Sequence, residues 1–183
     1  MSCETVSFAS DAAKTAHAHA AALLASRQAK PGDKLPLKEH VKETDATTPL
    51  ILAPSGKSIF VGVPGAFTPT CSLQAPGYIE RYDEFKAKGV SEIFVVTVND
   101  TFVTKAWKEK LAPKGTPVRF IADDQALFVS ALGLVLDATT ALGGPRAKRF
   151  VVIANDDTIE HVIVEENAGS LTATEASKVL ELL

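Results

Sequence analysis

Cys71 is the residue in this sequence whose position best suits nucleophilic chemistry. It lies in the stretch from Pro64 to Ser72, directly after a strand-sized apolar run and at the start of a predicted helix. Free backbone N–H groups and the positive end of the helix dipole at that place favour a thiolate over a thiol. The thiolate is the reactive form, so placement alone makes Cys71 a candidate nucleophile. A lone cysteine is more often a small buried apolar residue, and on position alone that alternative stays open.

The composition fits one domain with a packed core. The chain has 183 residues, of which 46% are hydrophobic, and a net charge of -3, as expected for a globular domain. No block of Lys and Arg indicates nucleic acid or an anionic membrane. The longest apolar runs, 59–63 and 93–98, are far shorter than a membrane span. We therefore expect no nucleic-acid partner and no membrane partner.

The two cysteines, Cys3 and Cys71, are too few for a disulfide-stapled secreted domain. The sequence contains no CxxC pair and no Cys/His cluster, so no metal site is predicted. The N-terminus lacks the pattern of a secretory signal. It carries fewer Arg than a mitochondrial transit peptide usually has, and it includes Glu4 and Asp11. We expect a cytoplasmic protein, with a mitochondrial location as the alternative.

Apolar periodicity and turn residues predict an alternation of strands and helices. An N-terminal extension over 1–30, helical over 11–28, precedes a domain over 31–183, with a Pro-Gly-Asp break at 31–33. Strands are predicted at 50–53, 58–63, 92–98, 117–122, 149–154 and 158–165, the last two as a hairpin. Helices are predicted at 71–88, 101–111, 125–132 and 172–183. This order predicts an α/β domain with a thioredoxin-like fold, in which helices flank a central mixed sheet.

Three separated stretches resemble the peroxiredoxins. The pattern Pro-x-x-x-Thr-x-x-Cys, formed by Pro64, Thr68 and Cys71, is similar to their active-site signature. The fuller string VPGAFTPTCS looks like their type II branch, the peroxiredoxin-five group. Two further stretches resemble that branch: residues 98–103 followed by Trp107, and the segment Lys148-Arg149-Phe150. The resemblance extends through most of the chain after residue 30.

The resemblance implies a peroxidase for hydrogen peroxide and small organic hydroperoxides that needs no metal, flavin or haem. The Cys71 thiolate would attack one peroxide oxygen and become a sulfenic acid. The Thr68 hydroxyl would bind the thiol or the peroxide, and Arg149 would stabilise the thiolate and the leaving oxygen. Pro64 would shield the sulfur, and Gly65 would allow the loop backbone to approach closely.

Each of these residues also has a simpler interpretation. Thr68 has the place of a helix N-cap, which is compatible with the role above. Arg149 could be a surface arginine at the end of a strand. Arg146 is a rival for the arginine role, although the resemblance favours Arg149.

The chain departs from the family where the oxidised cysteine is reset. Resetting a sulfenic acid needs another thiol. Where many relatives keep a resolving cysteine, this chain has Val95 and the segment 171–173, neither of which contains a cysteine. Cys3 is the other thiol of the chain. We prefer an external reductant, glutathione with glutaredoxin or thioredoxin, and Cys3 as a possible resolving residue is the alternative. A homodimer is expected from the resemblance.

A second departure follows the nucleophile. Relatives commonly run Cys-Ser-x-x-His-x-Pro-Gly, whereas the segment from Cys71 to Gly77 is one residue shorter and lacks the histidine. Two other functions remain open with the same cysteine: a peroxide sensor or redox relay, and a chaperone-like protein. A thioredoxin-type disulfide reductase is disfavoured because there is no CxxC.

Overall fold

The structure is a computed structural model that describes residues 27–183. Cys3 and most of the predicted helix over 11–28 lie outside the described residues. The division into an extension over 1–30 and a domain over 31–183 therefore stays a prediction. No helix within the described part has the length and apolar character that crossing a bilayer requires.

The described chain alternates strands and helices in the predicted order, with additions. The strands are β1 (Lys57–Val63), β2 (Val90–Thr97), β3 (Arg119–Ala122), β4 (Val135–Ala138), β5 (Gly144–Ala147), β6 (Phe150–Asn155) and β7 (Thr158–Val164). The helices are α1 (Pro69–Glu80), α2 (Tyr82–Ala87), α3 (Thr101–Leu111), α4 (Leu127–Ala131), α5 (Thr139–Leu142) and α6 (Ala176–Leu180).

Five strands form one mixed sheet in the order β3-β2-β1-β6-β7. β1, β2 and β3 run parallel, and β6 and β7 are antiparallel to their neighbours. Helices cover both faces, so the central strands are buried on both sides and read as continuous apolar runs. The predicted central mixed sheet flanked by helices is confirmed.

The sheet separates two apolar clusters. Successive side chains of a strand point to opposite faces, so Phe60 of β1 packs in one cluster with Phe94 and Phe128, at ring centroid distances of 4.7 and 5.6 Å. Ile59 and Val61 face the other cluster, which contains Cys71. The candidate nucleophile therefore lies in a close-packed layer between α1 and the sheet.

The prediction of one helix over 71–88 was wrong. The helix begins at Pro69, a residue type suited to a first turn because it needs no hydrogen-bond donor there. It ends at Glu80, and the next residue, Arg81 (φ -98°, ψ 16°), leaves helical geometry before α2 starts.

Other differences arise in short elements. The predicted helix over 172–183 shortens to α6, because the N–H groups of Thr172 and Thr174 bind the Glu165 carboxylate instead. The predicted strand at 50–53 is reduced to an isolated bridge between Val41 and Leu50. The unit β4-α5-β5, with its separate two-stranded sheet, was not predicted. Arg149 stands just before β6 rather than inside a strand.

Candidate active site

Cys71 lies in the first turn of α1 and is fully buried. β1 ends at Val63, and the loop 64–68 turns the chain back so that the helix starts over the end of the sheet. Thr68 is the N-cap residue, with extended backbone angles, and its carbonyl accepts from the Ser72 N–H at 3.0 Å. The sulfur is thus placed where free N–H groups and the helix dipole favour negative charge.

Arg149 reaches Cys71 from the start of β6. Its Nη2 lies 3.5 Å from the Cys71 sulfur, and the side chain is only 2% exposed. Its Nε and Nη2 donate to the Ala168 carbonyl at 3.0 and 2.6 Å, and its Nη1 donates to Gln74 Oε1 at 2.6 Å. All of these acceptors are neutral, and no carboxylate among the described residues pairs with Arg149. The guanidinium charge is therefore directed at the sulfur.

Thr68 makes a different contact from the predicted one. Its hydroxyl donates to the Gly65 carbonyl at 2.9 Å and makes no hydrogen bond that caps the helix. Because the hydroxyl proton is used there, the oxygen keeps its acceptor capacity for a ligand. A Cβ at Gly65 would stand 3.3 Å from the Thr68 methyl group, so a larger residue at this position would crowd Thr68. Pro64 is buried beside them.

Two residues of the second family-like stretch hold the cysteine loop, a contact that sequence reasoning missed. Asn99 Oδ1 accepts from the Ala66 N–H at 3.0 Å and from the Thr97 hydroxyl at 2.7 Å. Trp107 Nε1 donates to Ser72 Oγ at 3.3 Å. The resemblance around residues 98–107 thus marks residues that fix the first turn of α1.

Arg146, the rival arginine, is bound elsewhere. Its Nη1 donates to the Val98 carbonyl at 2.6 Å, and its Nη2 donates to the Leu142 carbonyl at 3.0 Å. These contacts join β5 to the end of β2 and to α5. Arg149 therefore contacts the Cys71 sulfur, whereas Arg146 binds the Val98 and Leu142 carbonyls.

An open cleft of about 340 Å³ adjoins Thr68 and Arg149, and the fully buried Cys71 is not among its lining residues. It is lined by Pro64, Thr68 and Arg149 together with apolar side chains, among them Leu136 and Leu142. A second cavity of about 360 Å³, lined in part by Lys105, Lys108 and Phe120, shares no residue with this cleft. Within residues 27–183, no group of His, Cys, Asp and Glu side chains is placed to hold a metal ion.

Comparison with known proteins shows the family of this chain. Residues 30–180 match the family model described as Redoxin. Over 129 residues the chain is 44% identical to peroxisomal membrane associated protein 20 of Schizosaccharomyces pombe, covering 70% of this chain and 83% of that protein. Over 133 residues it is 43% identical to Peroxiredoxin-2C of Oryza sativa, covering 72% and 81%. The chain is a type II peroxiredoxin.

Solved structures show the same fold for the peroxiredoxin. Reduced Prx3 from Vibrio vulnificus matches it with a TM-score of 0.76 at 34% identity, over 85% of this chain and 98% of that chain. Peroxiredoxin 5 from Alvinella pompejana matches with a TM-score of 0.75 at 30% identity, over 84% and 96%. The thioredoxin-like fold and the type II branch are confirmed, and the peroxiredoxin is a peroxidase of the oxidoreductase class.

Gln74 is a further contact residue of this peroxiredoxin that was not predicted from the sequence. It is 1% exposed and accepts the Arg149 hydrogen bond from a position one helical turn after Cys71. The signal was its spacing, because residues i and i+3 share a helix face. The shortened segment after the cysteine thus carries a neutral acceptor for the arginine.

Proposed function

We propose that this peroxiredoxin reduces peroxides through direct attack by the Cys71 thiolate, with Arg149 stabilising charge on sulfur and oxygen. The observation that carries the proposal is the 3.5 Å contact between Arg149 Nη2 and the Cys71 sulfur. Because the other hydrogen-bond partners of Arg149 are neutral, its charge is available to both the thiolate and the departing oxygen.

The step balances without a cofactor. The sulfur electron pair forms an S–O bond to one peroxide oxygen as the O–O bond breaks. The second oxygen leaves with the bonding pair and takes a proton from water, which gives an alcohol, or water when the substrate is hydrogen peroxide. Sulfur is oxidised to a sulfenic acid, the first and reversible oxidation product of cysteine.

The cleft supports hydrogen peroxide and small organic hydroperoxides as substrates. The hydroxyl oxygen of Thr68 and the guanidinium of Arg149 offer polar contacts to the two oxygens. The side chains of Leu136 and Leu142 at the same cleft offer an apolar wall to an alkyl group.

An external thiol resets the enzyme in this proposal, either glutathione with glutaredoxin or thioredoxin. Cys71 is the only cysteine among residues 27–183. Val95, at one place where relatives keep a second cysteine, is fully buried. Resolution by Cys3 remains the alternative.

The cytoplasmic location also stays a prediction, with the mitochondrion as alternative. One relative, Peroxiredoxin-2F of Arabidopsis thaliana, is named mitochondrial.

A homodimer is part of the proposal. Three large apolar side chains of the cysteine loop, α1 and α3 are exposed: Phe67 by 47%, Leu73 by 70% and Phe102 by 76%. Phe67 also holds a left-handed backbone (φ 64°), unusual for a residue with a large side chain. A second copy of the chain covering these residues would remove that apolar surface from water.

The test is peroxide consumption with each reductant in turn, by the wild type, Cys71→Ser and Cys3→Ser. Sustained turnover that vanishes in Cys71→Ser is expected, and full activity in that variant would refute the proposal. Loss of thioredoxin-supported turnover in Cys3→Ser alone would make Cys3 the resolving residue. Consumption of one equivalent without recycling by any reductant would favour the sensor.

A further inference from the structure

Glu165 is a buried carboxylate at the far end of a hydrogen-bond chain that reaches Arg149. Its Oε1 accepts from the N–H groups of Thr172 and Thr174, each at 2.8 Å, and from the Thr174 hydroxyl at 2.9 Å. Its Oε2 accepts from the Thr172 hydroxyl at 2.6 Å. Burial opposes ionisation, but these hydrogen bonds prevail and lower the pKa of Glu165 to about 2. The carboxyl group is therefore ionised at physiological pH.

The charge of Glu165 fixes the direction of the hydrogen bond from the Thr174 hydroxyl. An ionised carboxylate only accepts, so the Thr174 hydroxyl must donate to it. The lone pairs of that hydroxyl then accept from Gln74 Nε2 at 3.0 Å, and the same nitrogen lies 3.3 Å from the Thr174 carbonyl oxygen. The amide oxygen of Gln74 is thereby turned to Arg149 Nη1.

The reversed amide would be unsatisfied on both sides. Its nitrogen would face the N–H of Arg149, and its oxygen would face the Thr174 carbonyl. An unsatisfied buried polar group costs more than a hydrogen bond contributes. One orientation of Gln74 therefore satisfies all its neighbours, and the Thr174 hydroxyl, whose proton Glu165 binds, supports it as an acceptor.

Glu165 also closes the loop that carries the other acceptor of Arg149. Its own N–H donates to the Arg149 carbonyl at 3.0 Å, while its carboxylate binds the far end of the loop at Thr172 and Thr174. Between these ends, the Ala168 carbonyl accepts from both Nε and Nη2 of Arg149. Gly169 beside it accepts from the Thr70 hydroxyl at 3.2 Å, next to Cys71 on α1.

We propose that Glu165 and Thr174 are positioning residues for the peroxide reaction, holding the Arg149 guanidinium against the Cys71 sulfur through Gln74 and the loop 165–174. Neither residue touches the reacting atoms. The inference rests on the proposed function, because it assigns a role only if Arg149 acts on the sulfur and the peroxide.

The test compares two isosteric substitutions that each remove one hydroxyl donor to Glu165. Thr174→Val breaks the chain to Gln74, whereas Thr172→Val removes a contact outside that chain. We expect Thr174→Val to lower the rate constant of Cys71 oxidation by peroxide about tenfold, as for the loss of a hydrogen bond in a buried network. Thr172→Val should lose less than Thr174→Val, because the chain to Gln74 and both N–H contacts to Glu165 remain. Thr174→Ser should restore the rate.

A second readout separates positioning from general damage to the fold. Alkylation of Cys71 by iodoacetamide, at a pH where the thiol is fully ionised, needs no oriented arginine. We expect Thr174→Val to leave that rate near the wild-type value while the peroxide rate falls. Disorder of the loop would instead expose the buried sulfur and accelerate alkylation.

Two results would overturn the inference: an unchanged peroxide rate in Thr174→Val, or an equal loss in Thr172→Val. If Thr174→Val does not fold by circular dichroism, Gln74→Met takes its place, with the same loss expected and an unchanged rate overturning the proposal. A wild type that does not react with peroxide would refute the proposed function itself, which is a different result.

Discussion

Arg149 Nη2 lies 3.5 Å from the Cys71 sulfur although the two residues are 78 positions apart in sequence. The antiparallel pairing of β6 with β1 makes the contact, since it brings the start of β6 beside the end of β1, where the cysteine loop begins. With neutral acceptors on its other N–H groups, the guanidinium serves the sulfur rather than an ion pair. A permanent charge in a buried site is costly, which supports the role proposed for Arg149.

Replacing Arg149 by Lys tests that relationship. A lysine keeps the charge, but its compact ammonium group cannot bind Ala168, Gln74 and the sulfur together. We expect the rate constant of Cys71 oxidation, followed by stopped-flow fluorescence of Trp107 or by competition, to fall about 100-fold, the size found when an electrostatic donor is lost. The matched control is Arg146→Lys, and a larger loss in that variant would reverse the assignment of the two arginines.

Thr68 tests how the peroxide is held. Its hydroxyl proton is used by the Gly65 carbonyl, so the oxygen is available as an acceptor for a peroxide O–H. Thr68→Val removes that acceptor at nearly constant volume, and we expect the peroxide rate constant to fall about tenfold. Thr68→Ser keeps the hydroxyl and should react like the wild type. Equal rates for Val and Ser would show that the hydroxyl has no part in the reaction.

The sequence predicted the parts of the molecule that follow from strong periodic patterns. β1, β2 and α3 are long enough for their apolar spacing to be decisive, and the hairpin of β6 and β7 has clear turn residues. The unit β4-α5-β5 escaped prediction because each element has four residues and Gly144 and Pro145 look like a turn. Its pairing depends on long-range contacts that no local pattern records.

The candidate site was predicted in part. Cys71, Thr68 and Arg149 were named from motifs, and the structure places Arg149 against the Cys71 sulfur and beside Thr68 at one cleft. Gln74 was missed because no local pattern indicates which residue after Cys71 meets an arginine 75 positions later. The chain from Glu165 through Thr174 could not be predicted, because it joins α1 to a loop 100 residues later in sequence.

Gly62 offers a test of packing next to the site. It pairs with Phe150 across β1 and β6, and a Cβ at this position would overlap the buried Phe150 ring. Gly62→Ala should therefore lower the free energy of unfolding by about 3 kcal/mol, at the upper end of overpacking effects. Urea denaturation provides the measurement.

Gly144→Ala is the matched control, because it too lies in a strand but has nothing within 4 Å of an added Cβ. Its free energy of unfolding should stay within about 0.5 kcal/mol of the wild type. Combining Gly62→Ala with Phe150→Leu should recover part of the loss. A wild-type stability for Gly62→Ala alone would show that β1 and β6 can separate without cost.

Asp123 gives the fold a pH dependence near neutrality. It is fully buried, and burial raises its pKa to about 6, although the N–H groups of Phe128 and Val129 donate to its two oxygens and oppose the shift. The folded state therefore binds the proton more tightly than the unfolded chain, whose value is 3.8. The resulting stabilisation is complete below pH 3.8 and is lost as the pH rises through about 6.

The measurement is the difference in unfolding free energy between the wild type and Asp123→Asn across that range. The variant cannot ionise at this position, so contributions from other groups, such as Glu165, cancel in the difference. Relative to the variant, the wild type should lose about 3 kcal/mol between pH 3.8 and pH 6, from about two pKa units at 1.36 kcal/mol each. A difference that does not change with pH would mean that the pKa of Asp123 is the same in the folded and unfolded protein. The folded protein would then stabilise the carboxylate as effectively as water does.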